Sequence, residues 1–147
     1  MPIEEIRTFN RYYARILGMF DQKVFDSKYS MVEMRILGEI SRQPSVTANA
    51  LTQYLMIKKS YLSRMLSKLE KDGQIFRKKD PVDSRVYHLY LTETGQQLNA
   101  FIEERSNEKV QGLTEHLDTE ELQTLIGAMD KITTILEKVV PNEMEEI

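Results

Sequence analysis

Cysteine is absent from the 147 residues. That excludes disulfides, thiolate metal sites and a thiol redox switch. Histidine is nearly absent: His88 and His116 are the only two. Neither has a His or Cys partner at ligand spacing, so structural or surface roles outweigh metal binding and catalysis. No apolar run approaches membrane-spanning length. The N-terminus is charged and lacks the apolar core of a signal peptide. There is no Gly-rich phosphate loop, and Ser60 and Ser63 have no local base to make them nucleophiles. Glu103-Glu104 and Glu120-Glu121 read as solvated helix faces and a cap. The sequence therefore offers no enzyme constellation and calls for no cofactor or metal. What is left is one domain by length, large enough to bury a core. It reads as a soluble cytoplasmic protein with no membrane partner.

The formal net charge of −3 argues at first against a polyanionic partner. The distribution reverses that. From Lys58 to Lys79 there are eight Lys or Arg against two acids, whereas from Glu93 onward thirteen acids face four bases. A basic centre on an acidic chain suggests a focused polyanion site. A solvated charged loop is the plainer alternative, but it explains less well why the acids avoid this segment.

That basic segment contains a helix. Leu62, Met65, Leu66 and Leu69 fall on one face at helical spacing. The other face carries Ser60, Tyr61, Arg64, Ser67, Lys68 and Lys71. A packed back and a narrow, hydroxyl-rich, positive front suit insertion into the major groove of DNA. The same pattern also describes an ordinary surface helix, so its neighbours in sequence must decide.

Upstream, Ile3, Ile6, Phe9, Tyr13, Ile16, Leu17, Phe20 and Val24 predict a helix over 3–24. Its wide apolar stripe suits core packing, or burial by a partner subunit. Asp26-Ser27-Lys28 breaks it. Ser30-Met31-Val32-Glu33 reads as a capping box, with Tyr29 and Met34 placed as a hydrophobic staple. That second helix stops before Pro44. Thr47 caps a short third helix through Leu55. A tight turn then leads into the central helix, which makes a helix-turn-helix. Lys58 and Lys59 sit at its N-terminus, where positive charge opposes the helix dipole. An anion at that end would remove the conflict; two lysines simply projecting into water is the other reading.

Downstream, Gly73 reads as a left-handed cap. Gln74–Lys79 and Arg85–Leu91 read as two strands around the turn Asp80-Pro81-Val82-Asp83-Ser84. A basic hairpin beside such a helix, with Arg85 at the base of its turn, is a wing whose tip can reach the minor groove, where an arginine responds to groove width and negative potential. Thr92 or Thr94 starts another helix. Asp118-Thr119-Glu120-Glu121 caps the last one, which is rich in Leu, Ile and Met and stops before Pro141. The acidic tail from Asn142 reads as frayed.

In this order the elements resemble the multiple-antibiotic-resistance-regulator (MarR) family of winged-helix transcription regulators. The residues that carry the resemblance are Thr47-Ala48, Leu51 and Leu55, then Ser60, Leu62-Ser63-Arg64, Leu69-Glu70, Gly73, Ile75 and Arg77. Asp83-Ser84-Arg85 and Leu91-Thr92 with Gly95 follow. The wing Asp-x-Arg followed by Leu-Thr-x-x-Gly is the most specific part. The first forty residues are similar to the regulator half of proteins that fuse this domain to an acetyltransferase, for which the remaining length leaves no room. Lys58 and Tyr61 depart from the pattern: an aspartate cap and a small residue are common there.

The resemblance implies a mainly α fold with a small β-hairpin wing. Residues 30–92 would form the DNA-binding lobe, 1–29 and 93–140 a helical dimerisation layer, and 141–147 a short tail. It implies a homodimeric repressor on a palindromic double-stranded operator. The contacts expected are Lys58, Lys59, Ser60, Tyr61, Ser63, Arg64 and Lys68 from the helix region, and Lys78, Lys79 and Arg85 from the wing, with Asp83 supporting Arg85. A small aromatic or anionic effector is also implied, and Tyr12, Tyr13, Arg15, Met19 and Met34 have the composition to line its cleft or simply to be core. Two other readings stay open: a winged-helix interaction module without operator binding, and the detached regulator half of an acetyltransferase fusion.

Overall fold

The computed structural model describes residues 2–19 and 28–144. Among them are six helices and one hairpin: α1 (Ile3–Gly18), α2 (Met31–Arg42), α3 (Ala48–Leu55), α4 (Lys59–Lys71), β1 (Ile75–Lys79), β2 (Tyr87–Leu91), α5 (Glu93–Thr114) and α6 (Thr119–Leu136). Phe20, Val24 and the break at Asp26-Ser27 lie outside the described residues.

Local chemistry starts most of these helices. The Ser30 hydroxyl accepts from the Glu33 amide at 3.2 Å, and the Glu33 carboxylate accepts from the Ser30 amide at 3.1 Å. Thr47 caps α3 through the Ala50 amide at 3.1 Å, and Asp118 with Glu121 forms a second reciprocal box at α6. Thr92, not Thr94, caps α5: its hydroxyl accepts from the Gly95 amide and donates to the Gly73 carbonyl at 2.6 Å. Each cap satisfies amides that the first helical turn leaves without partners.

The core lies between α2, α3, α4 and the wing. Ile36, Leu37, Ile40, Leu51, Leu62, Leu66, Leu69, Ile75 and Leu89 are fully buried. All four apolar residues of the central helix, Leu62, Met65, Leu66 and Leu69, are among the buried set. The wing is antiparallel, with Ile75 opposite Leu91 and Lys78 opposite His88. Its strands are shorter than the sequence pattern suggests. The Gln74 carbonyl accepts from the Thr92 amide, and the Val86 amide donates back to Asp83, so Gln74, Arg85 and Val86 belong to turns. The α2–α3 loop adds an edge to β2: the Ser45 amide donates to Leu89, the Leu89 amide donates to Val46, and Thr47 bridges His88.

The helices at the two ends differ from this lobe. No residue of α1 or α6 is buried, and α5 buries only Gly95, Asn99 and Ile102. Ile3, Ile6, Phe9 and Leu17 of α1 are exposed, as are Ile126, Met129, Ile132 and Ile135 of α6. Of the two expectations for the α1 stripe, packing into the core of its own chain is not what the fold does. α6 ends at Leu136 and passes through a turn before Pro141. The tail, expected to fray, instead docks as far as it is described. The Tyr54 hydroxyl donates to Asn142 at 3.3 Å, and Met144 packs against the core.

Candidate nucleic-acid interface

The N-terminus of α4 is the first part of the site. Lys58 is its N-cap, extended at φ −66° and ψ 140°, and makes no side-chain cap. No acid lies in the first turn. The orphan amides and the positive helix end are therefore joined by two ammonium groups instead of being neutralised. Ser60, Tyr61, Ser63 and Arg64 are exposed beyond them, and the Arg64 guanidinium lies over the Tyr61 ring at 5.9 Å.

Lys68 is placed differently from the other expected contacts. Its ammonium lies 3.1 Å from the carboxylate of buried Glu33, and 5.1 Å from the ring of buried Tyr29. The Tyr29 hydroxyl donates to Asp72 at the end of α4 at 2.8 Å. Burial, then this bond to a carboxylate, pushes the phenol up to about 12. Lys68 and Tyr29 thus bind α4 to the start of α2, and the Lys68 charge is already matched.

The wing turn is built on two aspartates. Asp80 accepts from the amides of Val82 at 2.8 Å and Asp83 at 2.9 Å. The Asp83 amide first, then His88, then the Val82 amide hold the Asp80 carboxyl down at about 2. Asp83 accepts from the Arg85 amide at 3.0 Å, from Nε at 3.1 Å and from a terminal guanidinium nitrogen at 3.2 Å. The Arg85 side chain holds the Asp83 carboxyl below the usual range. The fork orients Arg85 without burying it: the side chain is 89% exposed. The remaining guanidinium donors face outward.

These parts meet. A groove of about 390 Å³ runs between α3, α4 and the wing, lined by Asn49, Thr52, Lys59, Ser63, Arg77 and Arg85 over a floor of Leu62, Leu66 and Leu89. It joins the expected residues Lys59, Ser63 and Arg85. Lys58, Ser60, Tyr61 and Arg64 lie outside its lining on the exposed parts of the α4 region, and Lys78 and Lys79 lie on β1. Among the described residues Lys58, Lys59, Arg64, Lys78 and Lys79 form no ion pair. Asn49, Thr52 and Arg77 line the groove although none is among the contacts expected from the sequence. Arg77 stood in the basic run, but the two α3 residues carry no local signal for it.

The expected effector residues are not brought together within one chain. Met34 lines a cleft of about 240 Å³ between α2 and α5 with Met31, Arg35, Arg42, Asn99 and Glu103. Tyr12, Tyr13, Arg15 and Met19 lie on or just after α1 and do not line it.

Residues 29–87 match the family model described as MarR family. The chain is 30% identical over 122 residues to a putative transcriptional regulatory protein for the hcr operon of Thauera aromatica, covering 83% of this chain and 70% of that one. Its fold is similar to that of FabT from Streptococcus pneumoniae, crystallised with DNA, with a TM-score of 0.77, 21% identity and coverage of 95% and 99% of the two chains. A MarR transcriptional regulator from Methanosarcina mazei gives 0.78 at 22% identity, covering 92% and 99%.

Proposed function

The chain belongs to the MarR family of transcriptional regulators, and from that premise we propose that it is a homodimeric repressor of a palindromic operator. The observation that carries this reading is the groove that joins Lys59 and Ser63 of α4 to Arg85 of the wing. A duplex laid against it receives α4 in the major groove and Arg85 in the minor groove. Unmatched cations on both sides receive phosphates. Two such lobes read half-sites roughly 34–36 Å apart. The exposed apolar faces of α1, α5 and α6 supply the dimer layer. An aromatic or amphipathic anion fits against Met34 in the α2–α5 cleft beside Arg35. Tyr12, Tyr13, Arg15 and Met19 of the dimer layer complete that site, and the bound effector releases the operator.

Selecting bound sequences from a random duplex pool tests the reading. An enriched palindrome with a steep negative salt dependence is the expected outcome. Arg64→Ala should cost about 1–3 kcal/mol and relax one position, if Arg64 pairs with guanine. Arg85→Ala should weaken binding with dimerisation unchanged. No measurable duplex affinity at low salt would sink the proposal in favour of a protein-interaction module.

A further inference from the structure

His88 stands outside the groove, yet its geometry bears on the wing. Nδ1 lies 2.6 Å from the Ser45 carbonyl oxygen, and Nε2 lies 2.8 Å from Asp80 Oδ2. A carbonyl can only accept, and so can an ionised carboxylate. Both ring nitrogens must therefore donate, which only the imidazolium can do. Asp80 is in turn the acceptor that shapes the wing turn, through the Val82 and Asp83 amides. Asp83 then holds Arg85. A continuous chain of bonds runs from the α2–α3 loop through His88, Asp80 and Asp83 to the groove-facing arginine.

We propose that His88 is a positioning residue for DNA binding, whose protonated ring ties the wing turn to the α2–α3 loop and whose deprotonation loosens Arg85. The DNA part of this proposal rests on the regulator reading above.

A neutral ring turns a lone pair toward either the Ser45 carbonyl or the Asp80 carboxylate. One bond is then lost and the contact becomes repulsive. Besides this ring, the Asp80 and Asp83 carboxylates hold the turn through the Val82, Asp83 and Arg85 amides. Val82 at its tip is 94% exposed, and the other backbone bonds across it are Asp80 to Val86 and Val86 to Asp83. The charged group that acts on the ring is Asp80. Asp80 faces it from the turn, and Asp83 lies behind Asp80. Lys78 sits across the ladder, its ammonium drawn 5.4 Å over the Tyr90 ring. From the α2–α3 loop the neutral Ser45 carbonyl meets Nδ1, and Thr47 bridges the His88 backbone. The bond to Asp80 first, then that to Ser45, raises the ring above its ordinary value. A raised folded-state value means that the stabilisation is complete below the ordinary imidazole range and is lost as pH rises through the folded-state value. Asp80 stays ionised throughout that range, so the loss lies on the alkaline side.

Two measurements on the full chain test this. The first needs no DNA: with only His88 and His116 present, NMR resolves each ring through a pH titration. His88 should titrate above the ordinary imidazole value, and the amides of Val82, Asp83 and Arg85 should shift with it. In Asp80→Asn the amide oxygen keeps the two turn bonds while its NH2 donates to a neutral ring, so the His88 titration should fall. A ring titrating at or below its ordinary value, or turn amides indifferent to it, would overturn the proposal. The second measures affinity for the selected duplex from pH 6 to 9. Wild type should lose affinity several-fold; His116→Gln should follow wild type, and both Asp80→Asn and His88→Gln should be flat. Equal profiles for wild type and His88→Gln would overturn the role in binding. Absence of DNA binding would overturn the regulator reading and with it that role, and the NMR titration alone would then decide whether His88 sets the turn.

Discussion

Gly95 shows how one position joins the wing to the next helix. A Cβ there would meet the Gln74 carbonyl oxygen at 1.9 Å, a backbone atom that cannot turn aside. That carbonyl is also the acceptor for the Thr92 amide. The Leu-Thr-x-x-Gly pattern thus has a steric cause: Thr92 caps α5 and Gly95 lets its first turn lie on the wing. Gly95→Ala should cost roughly 1–3 kcal/mol, as overpacking does, and urea unfolding would measure it. Wild-type stability would mean that α5 shifts freely against the hairpin. Gly73 has a different reason, its left-handed φ of 75° at the exit of α4. Lys68, one of the expected DNA contacts, also pairs with Glu33 and so helps to hold α4 in place.

At the scale of elements, α4 is stabilised by its buried back and left unsupported at its entry. Lys58 has the extended backbone of an N-cap but no oxygen to accept the waiting amides. Lys58→Asp supplies one and also suits the dipole. It should raise stability by about 1 kcal/mol and lower DNA affinity, with the salt slope smaller by about one. Thermal unfolding and a salt titration of duplex binding read the two effects separately. A more stable variant with unchanged affinity would remove Lys58 from the interface. The wing makes a similar use of charge, since Asp80 and Asp83 spend carboxylates on ordering a turn whose arginine remains 89% exposed.

At the scale of the whole molecule, a packed winged-helix lobe carries helices whose apolar faces are open. Ile6 and Phe9 of α1 and Ile132 and Ile135 of α6 are all exposed in one chain. Apolar faces left open in this way mark an interaction surface, and in the homodimer proposed above a second copy covers them by symmetry. Ile132→Asp places a charge where that layer would be dry. Under the proposed homodimer, sedimentation should find wild type dimeric at micromolar concentration and the variant monomeric. Affinity for a palindromic duplex should fall with it, because one lobe makes half the contacts. A wild-type chain that sediments as monomer would refute the dimer.

Short-range features were legible in the residues alone. Caps at Ser30, Thr47 and Asp118, the buried stripe of α4 and the wing turn with Asp83 and Arg85 all depend on groups a few positions apart. Backbone geometry sets those distances before any packing occurs, so local pattern alone specifies the element order, the basic face and most helix starts, while the choice of Thr92 over Thr94 waits on the fold. The tertiary structure decided what depends on distant segments meeting. Tyr29 finds Asp72 and His88 finds Ser45, each across 43 positions, and Lys68 finds Glu33 across 35. It also decided that Asn49 and Thr52 share a groove with Arg85, and that the stripe of α1 stays outside the core of its own chain. No local pattern encodes these meetings, because the same side chains would satisfy the same local rules on either face of the fold.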